Sequence, residues 1–338
     1  AQRRQGADSP NDRLVRLQGL IPTQTASLRL DRLTPDESHT LLNELLPSNV
    51  LPAELIANII QQSEGNPYFI EEYVRMLIEQ GYLQESDEGW TVAPQVTIKQ
   101  VPLPSSLETL LRSRVDALPQ ELKDLMQYAA VIGAPFEVSV LATVSEEPNA
   151  EAGLRRLESR LLVRREEESD QWAFNHSLIE NVVYNTMLKV RRKTLHLNIA
   201  QALESRWAGS EADHAEQLAY HYVRAGDAPK ALTYLMHAGE RATARYANEE
   251  AVAYFEQAAQ ILKTLPEATT QLRWQLAAGL GDAYRFTGRY ADAATTLEGG
   301  LTLVAKKALG DDYAVALYRR LGETAQKQGA LESAQEHF

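Results

Sequence analysis

A mainly α-helical chain is predicted, in successive parts: a small helical bundle, a group of helices closed by a short β-hairpin, and an α-solenoid of paired helices. Three observations carry this. Apolar residues recur at helical spacing in stretches that open on Thr, Asn or Ser beside proline and close on glycine. Two strand-like segments flank an acidic turn near the middle of the chain. The last third is rich in alanine and places Leu-Gly, Tyr and Gly at recurring offsets.

The length of 338 residues suggests two or three domains. Apolar content of 44% and charged content of 24% are those of an ordinary globular chain. No run approaches the roughly 18 apolar residues of a membrane span, and no secretory leader opens the sequence. The absence of cysteine rules out disulfides and thiolate metal sites. A formal charge of −12 argues against a chain built to coat nucleic acid. With no targeting signal, the expected location is the cytoplasm.

The polar start, residues 1–13, reads as loop, Leu14 to Leu17 as a short apolar piece, and Leu28-Arg29-Leu30 as a brief strand. Thr34, Pro35 and Glu37 form a capping box that starts a helix running to about Leu46. Pro47 to Pro52 interrupts it, and Leu55, Ile56, Ile59 and Ile60 mark a second helix reaching Ser63. Gly65 breaks the chain, Asn66 caps and Pro67 opens a third helix whose greasy face is Phe69, Ile70, Tyr73, Val74, Leu77 and Ile78. Gly81 closes it as a left-handed cap. Short strands are expected around Asp87-Glu88-Gly89, between Tyr82 and Val92. These helices form a bundle.

Val101-Pro102-Leu103-Pro104 is extended, and Ser105 with Glu108 caps a helix whose stripe is Leu107, Leu110, Leu111, Val115 and Leu118. Pro119 opens another helix to Gly133. A short helix after Phe136 and a longer one from about Pro148 to Leu161 follow. Leu162 to Arg165 and Trp172 to Phe174 flank the acidic turn Glu166 to Asp170. Helices followed by a hairpin are the order of a winged-helix domain. Phe174, His176, Ile179, Val183, Tyr184 and Leu188 then read as one helical stripe.

In the last third, Leu280-Gly281, Tyr284, Gly288, Tyr290, Ala293 and Leu297 match the tetratricopeptide pattern. The pattern recurs as Leu321-Gly322, Ala325, Gly329, Leu331, Ala334, Phe338, and as Leu218-Ala219, Tyr222, Gly226, Ala231, Leu235, Ala238. Ala251, Phe255 and Ala258 suggest another second helix, whose first helix is shared with the Ala219 copy. Ala293 and Ala334 are 41 apart, against the usual ~34, so the helices are long. The array is expected to be truncated, with Tyr313, Leu317 and Leu321 partly bare and self-association through that end.

Several of these stretches resemble one family. Gly65-Asn66-Pro67, an aromatic, Glu71-Glu72, Arg75 and Leu77 resemble the helical-lid motif of STAND-type regulatory ATPases, a signalling branch of the AAA+ fold. Phe174-x-His176 with the following Tyr, Arg and Leu-His resembles the end of their winged helix, and Ala129 to Leu141 is similar to the same domain. The resemblance covers roughly residues 28–207. It implies a nucleotide-binding core tail at 1–30, a helical lid at 31–100, a winged helix at 101–207 and a tetratricopeptide-like array at 208–338. It also implies contact of Gly65, Asn66 and Pro67 with a nucleotide's adenine and of His176 with the β-phosphate of ADP. Phe-Asn-His-Ser here departs from the Met-His-Asp form of some branches. The core itself is absent: no Gly-Lys pair occurs, so no phosphate-binding loop can form. The chain is thus expected to be a regulatory fragment with no catalytic residues and no cofactor of its own. ADP/ATP with Mg would belong to a longer parent, whose effector would be of a kind such as a nucleotide cyclase.

Each candidate has a plainer reading. Gly65-Asn66-Pro67 is also an ordinary helix start, and a His near a helix start is often structural. Arg155, Arg156, Arg160, Arg164 and Arg165, with a second cluster of Lys189, Arg191, Arg192 and Lys193, invite a DNA-binding reading. Glu151, Glu158 and Glu166 to Glu168 interleave them, and base-edge readers are scarce. His214 and His221 share a helix face without a third metal ligand. The expected working surface is the solenoid groove: Tyr220, Arg224, Asp282, Arg285, Phe286, Arg319, Glu323, Gln326 and Lys327. Its mixed charge with aromatics suits a protein, a peptide or a small inducer. A freestanding repeat scaffold and a winged-helix transcription regulator are the alternatives.

Overall fold

The computed structural model describes residues 30–46, 50–86, 89–93, 101–166, 169–304 and 309–337. The chain divides into two compact units, residues 1–114 and 115–338. The expectations for residues 1–29 and for Phe338 lie outside the described residues.

The first unit contains helices α1 (Pro35–Leu45), α2 (Ala53–Ser63) and α3 (Pro67–Glu79), the hairpin β1 (Leu83–Ser86) and β2 (Gly89–Val92), and most of α4 (Leu107–Asp116). The capping box at Thr34 forms: the Glu37 carboxylate accepts from Thr34 N–H at 2.8 Å, and Glu37 N–H donates back to Thr34 Oγ1. Leu42, Leu55, Ile59, Phe69, Ile70, Tyr73, Leu77, Leu83 and Leu110 share one core. Gly81 is left-handed, and Tyr82 N–H closes the α3 turn on Leu77 C=O at 2.8 Å. Leu30 is not in a strand. It lies 85% exposed, and Leu33 N–H bonds Gly65 C=O, so this segment meets the α2–α3 turn instead of a sheet edge. The cap of α4 is Ser106, one residue later than expected, because Ser106 Oγ is the atom that reaches Thr109 N–H, at 3.2 Å.

Composition hides one feature of this core. Arg114 is fully buried, donating to both Glu79 oxygens at 2.9 and 2.7 Å and to Glu72, which is also fully buried. Arg75 reaches the other Glu72 oxygen at 3.1 Å. Burial works against the Glu72 charge, and the Arg114 and Arg75 guanidinium groups work for it. Such a cluster holds only while every member is present.

The second unit opens with α5 (Gln120–Ile132), β3 (Phe136–Glu137), α6 (Val138–Ser145), α7 (Ala150–Glu158), β4 (Val163–Arg165), β5 (Gln171–Phe174) and α8 (Ser177–Thr186). The sheet order is β3-β5-β4, all antiparallel, with Phe136 opposite Trp172 and Val163 opposite Phe174. Strand β3 is too short to show a period and was not expected. It brings the buried ring of Phe136 beside that of Phe174. Helix α7 stops at Glu158 and does not reach Leu161. Leu161 takes a left-handed φ of 57°, and Leu162 N–H caps Leu157 C=O. The expected single stripe from Phe174 to Leu188 is three elements. Phe174 is in β5, His176 caps α8, and Leu188 stands at the start of α9 (Lys189–Arg206).

The rest is helical: α10 (Ala215–Ala225), α11 (Ala228–Ala244), α12 (Asn248–Leu262), α13 (Thr270–Phe286), α14 (Tyr290–Leu303), α15 (Asp311–Gln328) and α16 (Leu331–His337), each packed on the next. One turn recurs between α10 and α11, α11 and α12, α13 and α14, and α15 and α16. A left-handed residue stands at Gly226 (82°), Tyr246 (60°), Gly288 (77°) and Gly329 (80°). After each, the next N–H closes on a carbonyl five residues back: Asp227 on Tyr222, Ala247 on Ala242, Arg289 on Tyr284, Ala330 on Ala325. Helix α11 therefore serves twice, as the second member of one pair and the first of the next. Its turn is hard to see in the sequence because Tyr246 stands where glycine is usual. Helices α13 and α15 have 17 and 18 residues, which accounts for the long repeat spacing. Leu317 and Leu321 are buried, contrary to expectation, because they face α14 within the core that also holds Leu297. Glu204 of α9 ties the start of the array together. It accepts from Tyr222 and Tyr234, whose rings stack at 5.5 Å, and from Lys230 at 2.5 Å.

Two outcomes are expected. Arg114→Met strands the buried Glu72 charge and should cost about 3–5 kcal/mol in denaturant unfolding, whereas adding Glu72→Leu should restore a large part. Tyr246 is 87% exposed, so Tyr246→Gly loses no packing and relieves the left-handed backbone. After the added unfolded-state entropy, a gain of about 0.5–1 kcal/mol is expected in the same assay.

Candidate functional site

Helices α11, α13 and α15 pack on one another as a continuous row inside the array. On this row Asp282 and Arg285 of α13 meet Arg319, Arg320 and Glu323 of α15. Asp282 accepts from Arg285 at 3.0 Å and from Arg320 Nε at 2.8 Å. Arg285 also reaches Glu323 at 2.9 Å, and Arg319 approaches the same carboxylate at 3.8 Å. Trp274 Nε1–H donates to Tyr313 C=O at 3.1 Å across the same pair of helices. Charges that face each other across adjacent helices neutralise one another, so much of the expected groove is committed to holding the row together. Arg320 and Trp274 are parts of it that repeat offsets alone do not reveal. Phe286 remains 53% exposed, with the Arg285 guanidinium 4.6 Å from its ring centre. On α15, Arg319, Gln326 and Lys327 remain exposed. The face offers an aromatic platform and hydrogen-bonding groups.

Tyr220 and Arg224 are placed elsewhere, against α9. The Arg224 guanidinium stacks 3.6 Å over the Tyr220 ring. Tyr220 packs edge-on to His196 and His221, which are buried and joined Nδ1 to Nδ1 at 3.0 Å. Tyr184 Oη meets His196 Nε2 at 3.0 Å, and Arg192 lies over the Tyr184 ring. Burial, then Arg224 and Arg192, push His196 down to about 4; burial, then His196 and Arg224, push His221 down to about 3. Both rings are therefore neutral near pH 7. His214 is apart from this pair, stacked on Trp207 at 3.8 Å. Among the described residues no group of His, Asp and Glu is arranged to hold a metal ion.

Gly65, Asn66 and Pro67 each have a local task. Gly65 is left-handed, and a Cβ there would fall 2.3 Å from Leu33 O. Asn66 Oδ1 accepts from Tyr68 N–H at 3.1 Å, and Pro67 opens α3. His176 Nδ1 accepts from Leu178 N–H at 3.1 Å as the α8 cap, which puts the proton of a neutral ring on Nε2. The arginines that suggested a DNA-reading face are largely paired: Arg155 with Glu151, Arg156 with Glu121, Arg164 with Glu166, Arg165 with Asp170.

Residues 34–87, from the cap of α1 into the hairpin, match a family model described as a domain of unknown function, DUF8739. An uncharacterized protein of Rhizobium meliloti (strain 1021) is 25% identical over 258 residues, covering 74% of this chain and 24% of that protein. The chain spans about a quarter of that relative's length. Among solved structures, a Signal Transduction ATPase with Numerous Domains from Pyrococcus horikoshii, with a tetratricopeptide repeat sensor, aligns over 92% of this chain and 48% of its own. The TM-score is 0.39 and the identity 16%.

The histidine pair sets a pH dependence. Both folded pKa values lie below the ordinary ~6.5, so the stability they contribute is complete above that pH and is lost as pH falls toward 4. Thermal melts should drop between pH 6.5 and 5, above the main carboxylate range. A His196→Phe/His221→Phe variant should flatten that slope.

Proposed function

We propose that this chain is a regulatory and sensing segment of a longer signal-transduction protein, binding a protein or peptide along the α11–α13–α15 row. The observation that carries this is the row itself: a repeated turn aligns the helices, Asp282 and Glu323 are engaged by facing arginines, and Phe286 is left exposed at the end of α13. A face with internally cancelled charge and an exposed aromatic suits an extended polypeptide better than a nucleic acid. In this reading the segment performs no chemistry. The lid-like bundle and the winged-helix-like domain relay occupancy of the row to a nucleotide-binding core in the parent. There ADP/ATP with Mg would be held, the Gly65–Pro67 turn facing the base and His176 offering its Nε2–H to a phosphate oxygen. The support for this relay is the residue resemblance described above.

Peptides selected from a random display library against the whole chain test the binding face. The expected result is that enriched peptides lose about tenfold or more in affinity with Phe286→Ala, and are unaffected by Tyr246→Gly. Peptides indifferent to Phe286→Ala and Arg319→Glu would remove the row as the sensing surface. Titration calorimetry with Mg-ATP and Mg-ADP is expected to show no binding at micromolar concentrations. Tight binding would mean that a nucleotide site lies within this chain.

A further inference from the structure

The turn between α8 and α9 and the first turn of α9 read Leu188-Lys189-Val190-Arg191-Arg192-Lys193. Leu188 is 78% exposed and Val190 is 76% exposed. Cations surround them, and Arg224 at the end of α10 belongs to the same surface. The Lys193 ammonium lies close to Gly226, and Arg192 and Arg224 both bear on His196.

The fold does not account for these charges. The first turn of α9 contains no acidic residue, and Leu188 supplies no side-chain cap. Cations at the positive end of a helix dipole cost stability. Elsewhere in this unit exposed arginines have carboxylate partners, such as Arg206 with Glu137 and Arg241 with Asp213. Here Arg191 reaches only Asp124, at 3.8 Å. Among the described residues Lys189, Arg192, Lys193 and Arg224 have no carboxylate within salt-bridge range. Arg192 and Arg224 instead lie over the rings of Tyr184 and Tyr220, at 5.0 and 3.6 Å, which holds their guanidinium groups in place in advance of any partner. In a chain of net charge −12 this is a positive island with an aliphatic centre.

We propose that this corner is a docking surface for an acidic polypeptide segment that carries apolar side chains. Charge complementarity selects an anionic partner. A nucleic-acid backbone would answer the cations and leave Leu188 and Val190 facing phosphate and water. An anionic bilayer takes a broader apolar face, usually with Trp or Phe, and this turn has neither. Acidic residues alternating with leucine answer both features. The surface is separate from the α11–α13–α15 row, so the proposal stands or falls independently of the sensing role.

The test uses fluorescence anisotropy of a short labelled peptide of glutamate and leucine titrated with the whole chain. A glutamine–leucine peptide, a mixed-sequence DNA duplex and phosphatidylcholine/phosphatidylserine vesicles serve as the other arms. Saturable binding of the glutamate–leucine peptide that weakens with salt is expected. It should fall about tenfold or more with Arg192→Glu/Lys193→Glu and severalfold with Leu188→Ser/Val190→Ser. These positions are on the surface, and unchanged melting temperatures would show that the variants fold. Lys263→Glu, at the C-cap of α12, should leave binding intact. Equal binding by the charge-reversed variant, preference for the duplex or the vesicles, or no binding of the glutamate–leucine peptide would each overturn the proposal.

Discussion

The repeat array depends on helices approaching more closely than side chains normally permit. Phe255 of α12 lies across two glycines, Gly239 of α11 and Gly279 of α13, where an added Cβ would come within 2.6 and 2.9 Å of its ring. Leu297 of α14 occupies the same relation to Gly281. One large side chain over a bare backbone sets the spacing of neighbouring helices, and close packing then fixes their direction. The position of the inner row follows from these contacts. So do the meeting of Asp282 with Arg320 and the exposure of Phe286.

Electrostatics divides the surface of the second unit into settled and unsettled regions. The α13–α15 network and the arginines of α7 and β4 are satisfied internally, and surface pairs of this kind add little stability individually. The α8–α9 corner is different because Lys189, Arg192, Lys193 and Arg224 have no carboxylate partner among the described residues, and Arg192 and Arg224 rest on tyrosines instead. A surface that gives up helix stability to keep such charges together is explained by what it meets better than by what it holds up.

The buried clusters have a different part. Arg114 with Glu72 and Glu79 commits charge to the interior of the first unit, where it specifies one arrangement of α3 and α4 at a cost in desolvation. His196 and His221 commit neutral rings to the α9–α10 contact, kept neutral first by burial and then by the arginines nearby. In both places polar groups buy uniqueness of packing.

The local order of the chain was legible in its sequence. The caps at Thr34 and Asn66, the left-handed glycines at 65, 81, 226, 288 and 329, the pairing of β1 with β2 and most helix bounds follow from short-range rules about φ, capping and period. The exceptions, Ser106 for Ser105 and Leu161 as a helix stop, are choices between neighbours that local rules leave nearly equal. Repeat offsets placed Asp282, Arg285, Arg319 and Glu323 on neighbouring helices of one row, because a stacked repeat converts sequence spacing into position. Partnership was decided only by the tertiary structure. The Glu72–Arg114 pair spans 42 positions and His196–His221 spans 25. Tyr220 and Arg224 left the groove because α10 packs on α9. Tyr246 takes the left-handed φ that glycine takes in the other turns, between two helices held close where Phe255 meets Gly239. Such outcomes depend on which surfaces pack together, and no local pattern encodes that.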